Sequence, residues 1–160
     1  MRKIDYSKRY EMPESQKTDF TNEELLDILD FYTQYKPLFD ESSTNKDNYP
    51  LTVAAHDFTI LLYKYELIDR NYSENLTKIK SKYDKIYIDD LSKEKLDFFE
   101  IMTIFTFIHR ADRFSGGWYE DCIEDNTYYN LLSRLEEIKN DIIKIPINYG
   151  HYHLKLTFEM

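Results

Sequence analysis

Residues 109–126 concentrate the side chains that could do chemistry. His109, Arg110, Arg113, Trp118, Tyr119, Glu120, Cys122 and Glu124 fall there, together with two of the chain's three glycines, Gly116 and Gly117. The tryptophan and the cysteine are the chain's only ones. On a helix, Arg110 and Arg113 lie three apart and His109 and Arg113 four apart, so all three project to one side near a carboxyl end, where exposed carbonyls favour cations. One chemistry for this set is ligand binding. His109, Arg110 and Arg113 would take a phosphate or carboxylate, which suits the planar arginine fork, and Trp118 or Tyr119 would stack on a base or ring. The other is architectural, and it is the expectation: Arg113 pairs with Glu120 or Glu124 across the glycine turn and locks two helices together. A chain that otherwise avoids glycine spends two here, which points to positive φ or a very close backbone approach. Gly116-Gly117 is not a phosphate-cradling loop, because neither Gly-x-Gly-x-x-Gly nor Lys-Ser/Thr accompanies it.

The neighbouring groups offer weaker chemistry. Glu120 with Glu124 and Asp121 with Asp125 are carboxylate pairs at helical spacing that could hold Mg²⁺ or share a proton, but a solvated helix face is the expected reading. They do not follow the calcium-loop pattern. His151 and His153 would share one strand face and supply two zinc ligands, short of the third that a site needs, so no metal is assigned. Cys122 has no triad partner at recognisable spacing and is expected to be an inert, partly buried thiol. No catalytic residue and no cofactor follow from these patterns, which lean away from an enzyme.

The elements that must position this corner are mainly helical. Residues 1–19 show no period and read as an arm. Thr21-Asn22-Glu23-Glu24 is a capping box, with Phe20 and Leu25 as a hydrophobic staple, so a helix begins there with Leu25, Ile28, Leu29 and Tyr32 on its apolar stripe. Pro37 ends or redirects it, and residues 41–49 read as a polar loop. A second helix is expected from Thr52, and Phe58, Leu61, Leu62, Tyr65 and Ile68 recur along it at helical spacing; Ser73 would cap a third helix through Tyr83. Ser92 would cap the central element, apolar nearly all round through Ile108 and too long for an ordinary strand. After the glycines, residues 118–123 form a short helix and residues 127–139 a longer one. Residues 142–158 read as a β-hairpin turning at Asn148-Tyr149-Gly150, because Tyr152, Leu154, Leu156 and Phe158 alternate with polar residues. The expected fold is therefore mainly α: one compact domain over residues 1–160, a bundle of about five or six helices with a small carboxyl-terminal hairpin.

Composition narrows the class further. At 160 residues and 42% hydrophobic, the chain fits one domain able to bury roughly 70% of its unfolded surface. Fifteen tyrosines and ten phenylalanines must supply much of the core. With one cysteine, no apolar leader-like stretch in the first thirty residues and no apolar run long enough to span a membrane, a cytoplasmic protein is expected. The net charge of −9 argues against direct binding to DNA, since every phosphate contact needs a Lys or Arg. The basic stretches around Arg2, Lys3, Lys8 and Arg9, and from Lys78 to Lys85, read as a solvated tail and a solvated helix face.

The corner also carries a resemblance. Arg113-Phe114-x-x-Gly117, followed by Ile123-Glu124-Asp125 and Leu131-Leu132-x-Arg134-Leu135, resembles the signature near the end of the bacterial domain-of-unknown-function family 6508 over roughly residues 101–138. That family tends to carry Glu, Cys and Gly where this chain has Asp112, Ser115 and Asn126; Asn tolerates the left-handed region, so the last change is mild. The resemblance implies a bacterial or phage origin and a mainly helical fold, and it brings no activity or catalytic residue with it.

The leading functional expectation is a non-enzymatic protein-interaction or regulatory module. Its partner would be another protein, basic or nucleic-acid-binding, or a second copy joined through the hairpin, whose apolar face must be covered. Two rivals follow. One is an acidic inhibitor occupying the nucleic-acid-binding surface of a host or phage enzyme. The other is a nucleotide-binding sensor or enzyme that uses the Arg113/Trp118 corner.

Overall fold

The computed structural model describes residues 2–40, 49–144 and 151–152, and these fold as a mainly helical unit. In chain order they form β1 (Phe20–Thr21), α1 (Asn22–Thr33), α2 (Lys36–Asp40), α3 (Tyr49–Lys64), α4 (Tyr72–Tyr83), α5 (Ile88–Leu91), α6 (Phe98–Phe114), α7 (Trp118–Glu124), α8 (Thr127–Ile143) and β2 (His151–Tyr152). The described residues hold two short helices beyond those expected, α2 and α5, while α7 is the short helix expected after the glycines. No described helix is long and apolar enough to cross a membrane.

The capping box at α1 forms as its sequence dictates. Glu24 N donates to Thr21 Oγ1 at 3.1 Å and Thr21 N donates to Glu24 Oε1 at 3.2 Å, satisfying two of the amides that a helix start leaves without partners. Phe20 and Leu25 are both buried beside it, and Leu25, Ile28, Leu29 and Tyr32 face the core. α6 starts differently from expectation. Ser92 closes the short α5, and the cap of α6 is Asp97, whose Oδ1 accepts from Glu100 N at 2.8 Å while Glu100 Oε1 accepts from Asp97 N at 2.9 Å. Asp97-x-x-Glu100 is itself a capping box, and its reciprocal bonds outweigh a lone serine. Ser73 likewise lies inside the first turn of α4, behind Asn71, and α3 begins at Tyr49 with Pro50 in its first turn.

The largest aromatic cluster gathers around Phe58. Phe58 of α3 meets Tyr32 at 5.5 Å, Tyr35 at 5.2 Å, Phe39 at 6.1 Å, Phe105 at 5.5 Å and Tyr128 at 5.7 Å between ring centroids, tying α1, α2, α6 and α8 around α3. The buried hydroxyl of Tyr32 finds its acceptor in the carbonyl of Phe58, at 3.2 Å.

Residues 2–19 have no regular element and are mostly exposed, yet a few contacts near both ends of this arm tie it to the helices. Arg2 pairs with Asp27 at 2.6 Å and lies 4.0 Å from the centre of the Phe31 ring, Ile4 is buried, and Tyr6 Oη donates to the buried carboxylate of Asp57 at 2.5 Å. Lys17 N donates to Glu66 O at 2.8 Å. At the other end, Ile142 and Ile143 continue α8 where a first hairpin strand was expected. His151–Tyr152 pairs antiparallel with β1, in the register Phe20↔Tyr152 and Thr21↔His151. The remainder of the expected hairpin, including His153 and the apolar face through which a homodimer was foreseen, lies outside the described residues.

Candidate functional site

The carboxyl end of α6 changes character over its last two turns, from the buried Phe105 and Ile108 to His109, Arg110, Asp112, Arg113 and Phe114. The helix stops at Ser115, and Gly117 follows at φ +106°, a conformation that side-chain-bearing residues rarely adopt. Gly116 needs no such freedom, and a Cβ built at either glycine meets nothing within 4 Å, so the turn is specified by one positive φ and not by close approach. Gly117 has no side chain with which to cap α7. Asp112 performs that task from α6, its Oδ1 accepting from Gly117 N at 3.2 Å and Tyr119 N at 3.3 Å.

This clamp, and not an arginine lock, closes the turn. Arg113, Glu120 and Glu124 are all exposed, and Arg113 forms no ion pair with either carboxylate. The expectation fails because a carboxylate one helical turn before the glycines reaches the free amides of α7 directly. Charge-assisted bonds to otherwise unpaired amides stabilise the turn more than an exposed ion pair would.

The structure does bring His109 and Tyr119 together. His109 Nδ1 lies 3.1 Å from Tyr119 Oη, which lies 3.2 Å from Thr59 Oγ1 on α3. Thr59 Oγ1 donates in turn to Ala55 O at 3.5 Å. The tautomer that gives every proton an acceptor runs from His109 Nδ1–H to Tyr119 to Thr59 to Ala55. It leaves His109 Nε2 a buried lone pair with no partner, which costs less than an unpaired buried N–H. Burial, and then the charges of Arg113 and Arg110, push the His109 pKa down to about 4, so the imidazole is neutral at pH 7. His56 packs edge-on against Tyr119 at 4.8 Å and Tyr63 edge-on against His109 at 6.2 Å.

This geometry assigns the expected binding residues new tasks. Tyr119 is buried, its hydroxyl engaged and its ring covered by His56, so it offers no stacking surface. Trp118 is half-buried and packs edge-on on Phe107 at 5.2 Å. His109 knits α3, α6 and α7 together, while Arg113 and Phe114, the latter 85% exposed, project from the helix end. Burial, followed by the charges of Asp125 and Asp121, pushes the Cys122 thiol up to about 12, far from a reactive thiolate. No group of three or more His, Cys, Asp or Glu side chains placed to hold a metal occurs among the described residues, the α7 carboxylates included.

Sequence reasoning missed His56, Thr59, Tyr63 and Asp112. The first three recur three to four residues apart along α3, a stripe visible in the sequence, but its facing α7 is a long-range fact that no local pattern carries. Asp112 was legible as a carboxylate shortly before a glycine turn. No protein-family description, curated protein or solved structure matches the chain.

Proposed function

We propose that the chain is a non-enzymatic protein-interaction module that presents the carboxyl end of α6 to another protein. The observation that carries this reading is Phe114, an aromatic ring 85% exposed at the end of a helix otherwise sunk in the core, beside the exposed Arg113. Aromatic and arginine side chains are the types that concentrate binding energy at interfaces. The Asp112 clamp and the His109–Tyr119–Thr59 chain hold their backbone in place, so little ordering entropy is lost on docking. Glu120, Asp121, Glu124 and Asp125 are exposed on and just after the adjoining α7, and the whole chain carries −9. The partner that fits is therefore a basic protein with an apolar pocket for Phe114. The same charge disfavours direct binding to nucleic acid.

The resemblance of this corner to family 6508 is in keeping with a bacterial or phage protein, so a bacterial lysate is the source to search. A second reading, an inhibitor that covers the nucleic-acid-binding surface of an enzyme, is favoured by the row of carboxylates beside Phe114; it differs in that duplex DNA would compete for the partner. The test is capture from lysate by the wild type and by Phe114→Ser, with urea stability measured in parallel. Loss of a captured protein by Phe114→Ser at unchanged stability is the expected result. Identical capture by both chains overturns the proposal, and displacement of the partner by DNA selects the inhibitor reading.

A further inference from the structure

Arg134 of α8 is 4% exposed, with one hydrogen bond and one long ion pair among the described residues. Its Nε donates to Leu96 O at 2.7 Å, fixing the guanidinium under the α5–α6 connection. The nearest carboxylate is that of Glu137, 3.6 Å from Nη1, on a side chain 65% exposed to solvent and able to swing away. A buried guanidinium whose ion pair is long and made to an exposed, solvent-screened carboxylate keeps charge that a second anion can neutralise. Arg134 lines an open cavity of about 540 Å³ between the α5–α6 connection and α8, within the size range of small-molecule sites. The exposed Lys93 and Lys95 stand on its wall, with Asn130, Ser133 and Glu137 on the α8 side. Asn130 is oriented by donating to Ser92 Oγ at 3.1 Å, and Ser92 by donating to Asp89 O at 2.6 Å. Counting Glu94 as well, the lining carries three cationic and two anionic side chains, a slight positive excess on a chain of net charge −9.

We infer that this cavity binds a small phosphorylated molecule, its phosphate displacing the exposed Glu137 carboxylate from the terminal nitrogens of Arg134 and lying between Lys93 and Lys95. A guanidinium held by Nε presents its two terminal nitrogens as a planar pair of donors, a shape that suits two phosphate oxygens. The polar remainder of the ligand lies along Asn130 and Ser133, beside the ring of Tyr129 that also lines the cavity. This site is distant in role from the α6 end and stands independently of the interaction reading.

The test uses the full chain, with inorganic phosphate and adenosine 5′-monophosphate as probes and chloride at equal ionic strength as control. Binding is followed by amide chemical shifts and thermal unfolding. Saturable binding, with shifts at Asn130, Ser133 and Lys95, is the expected result. Lys93→Ala/Lys95→Ala, two exposed positions that leave the core intact, should weaken it about tenfold, the equivalent of losing one charge-assisted hydrogen bond. Tighter binding of the monophosphate than of inorganic phosphate is expected for an organic ligand, and equal binding would overturn it in favour of a phosphate-ion site. No saturable binding up to about 10 mM, or binding untouched by the double variant, overturns the assignment.

Discussion

The two ends of α6 are built in opposite ways. At its amino end the carboxylates are drawn inward. Asp97 and Glu100 cap the helix, Glu100 also accepts from Lys82 Nζ at 3.1 Å and Tyr83 Oη at 2.7 Å, and Arg134 grips Leu96 just upstream. At its carboxyl end the cations point outward, and a carboxylate, Asp112, is turned onto backbone amides. Arg134 and Arg113 thus have contrary fates: one is buried and ties down a loop through its Nε, the other is left exposed to solvent or a partner. An arginine's role follows from which helix face it occupies and not from how conspicuous its neighbourhood is.

The largest effect expected from this contrast is that of Arg134→Ala. It removes the tie to Leu96 O and leaves that carbonyl and a hole beside the core, and should cost about 3 kcal/mol in urea unfolding. A cost under about 1 kcal/mol would make the two arginines equivalent.

The next effect concerns pH, because the two ends of α6 titrate in opposite senses. His109 is held at about 4, below its ordinary value of 6.5, so its contribution to stability is complete above pH 6.5 and is lost as the pH falls toward 4. Asp97 is pushed up to about 6, first by burial and then by Glu100, so its contribution is complete below its ordinary 3.8 and is lost as the pH rises through 6. Over pH 4–6.5 the two oppose each other. His109→Gln should flatten the acid decline by about 1 kcal/mol, the full shift being discounted for partial exposure, while Asp97→Asn should steepen it. Urea midpoints across this range measure both, and a shared direction for the two variants would dissolve the contrast.

The smallest effect belongs to Arg113→Ala, which should change stability by less than about 0.5 kcal/mol, as befits an exposed side chain with no ion pair among the described residues. A loss of about 3 kcal/mol would restore the lock that the sequence suggested.

How much of this was legible depends on the range of the interaction. The α1 capping box, the stripe of Leu25, Ile28, Leu29 and Tyr32, and the apolar length of α6 are local patterns, and each appears in the fold. Arg134 was also readable: it stands three residues after Leu131 and four before Ile138, on the buried face of α8, a place where an arginine needs a purpose. The partner of Arg113 was not readable, since helical spacing tells which side chains share a face but not whether that face meets protein or water. The choice between Ser92 and Asp97 turned on a glutamate three residues further along. The docking of residues 2–19 depends on pairs far apart in the chain, such as Arg2 with Asp27 and Tyr6 with Asp57, and no periodicity announces them.

The seclusion of Cys122 makes the molecule its own clock. Because its thiol is the chain's only one and is buried within α7, an alkylating reagent at neutral pH can modify it only during the moments when that helix lifts away. The reaction half-life, followed against reagent concentration, separates how often the α6–α7 corner opens from how long it stays open. A bound partner at Phe114 would then be felt several residues away as a slowing of that clock.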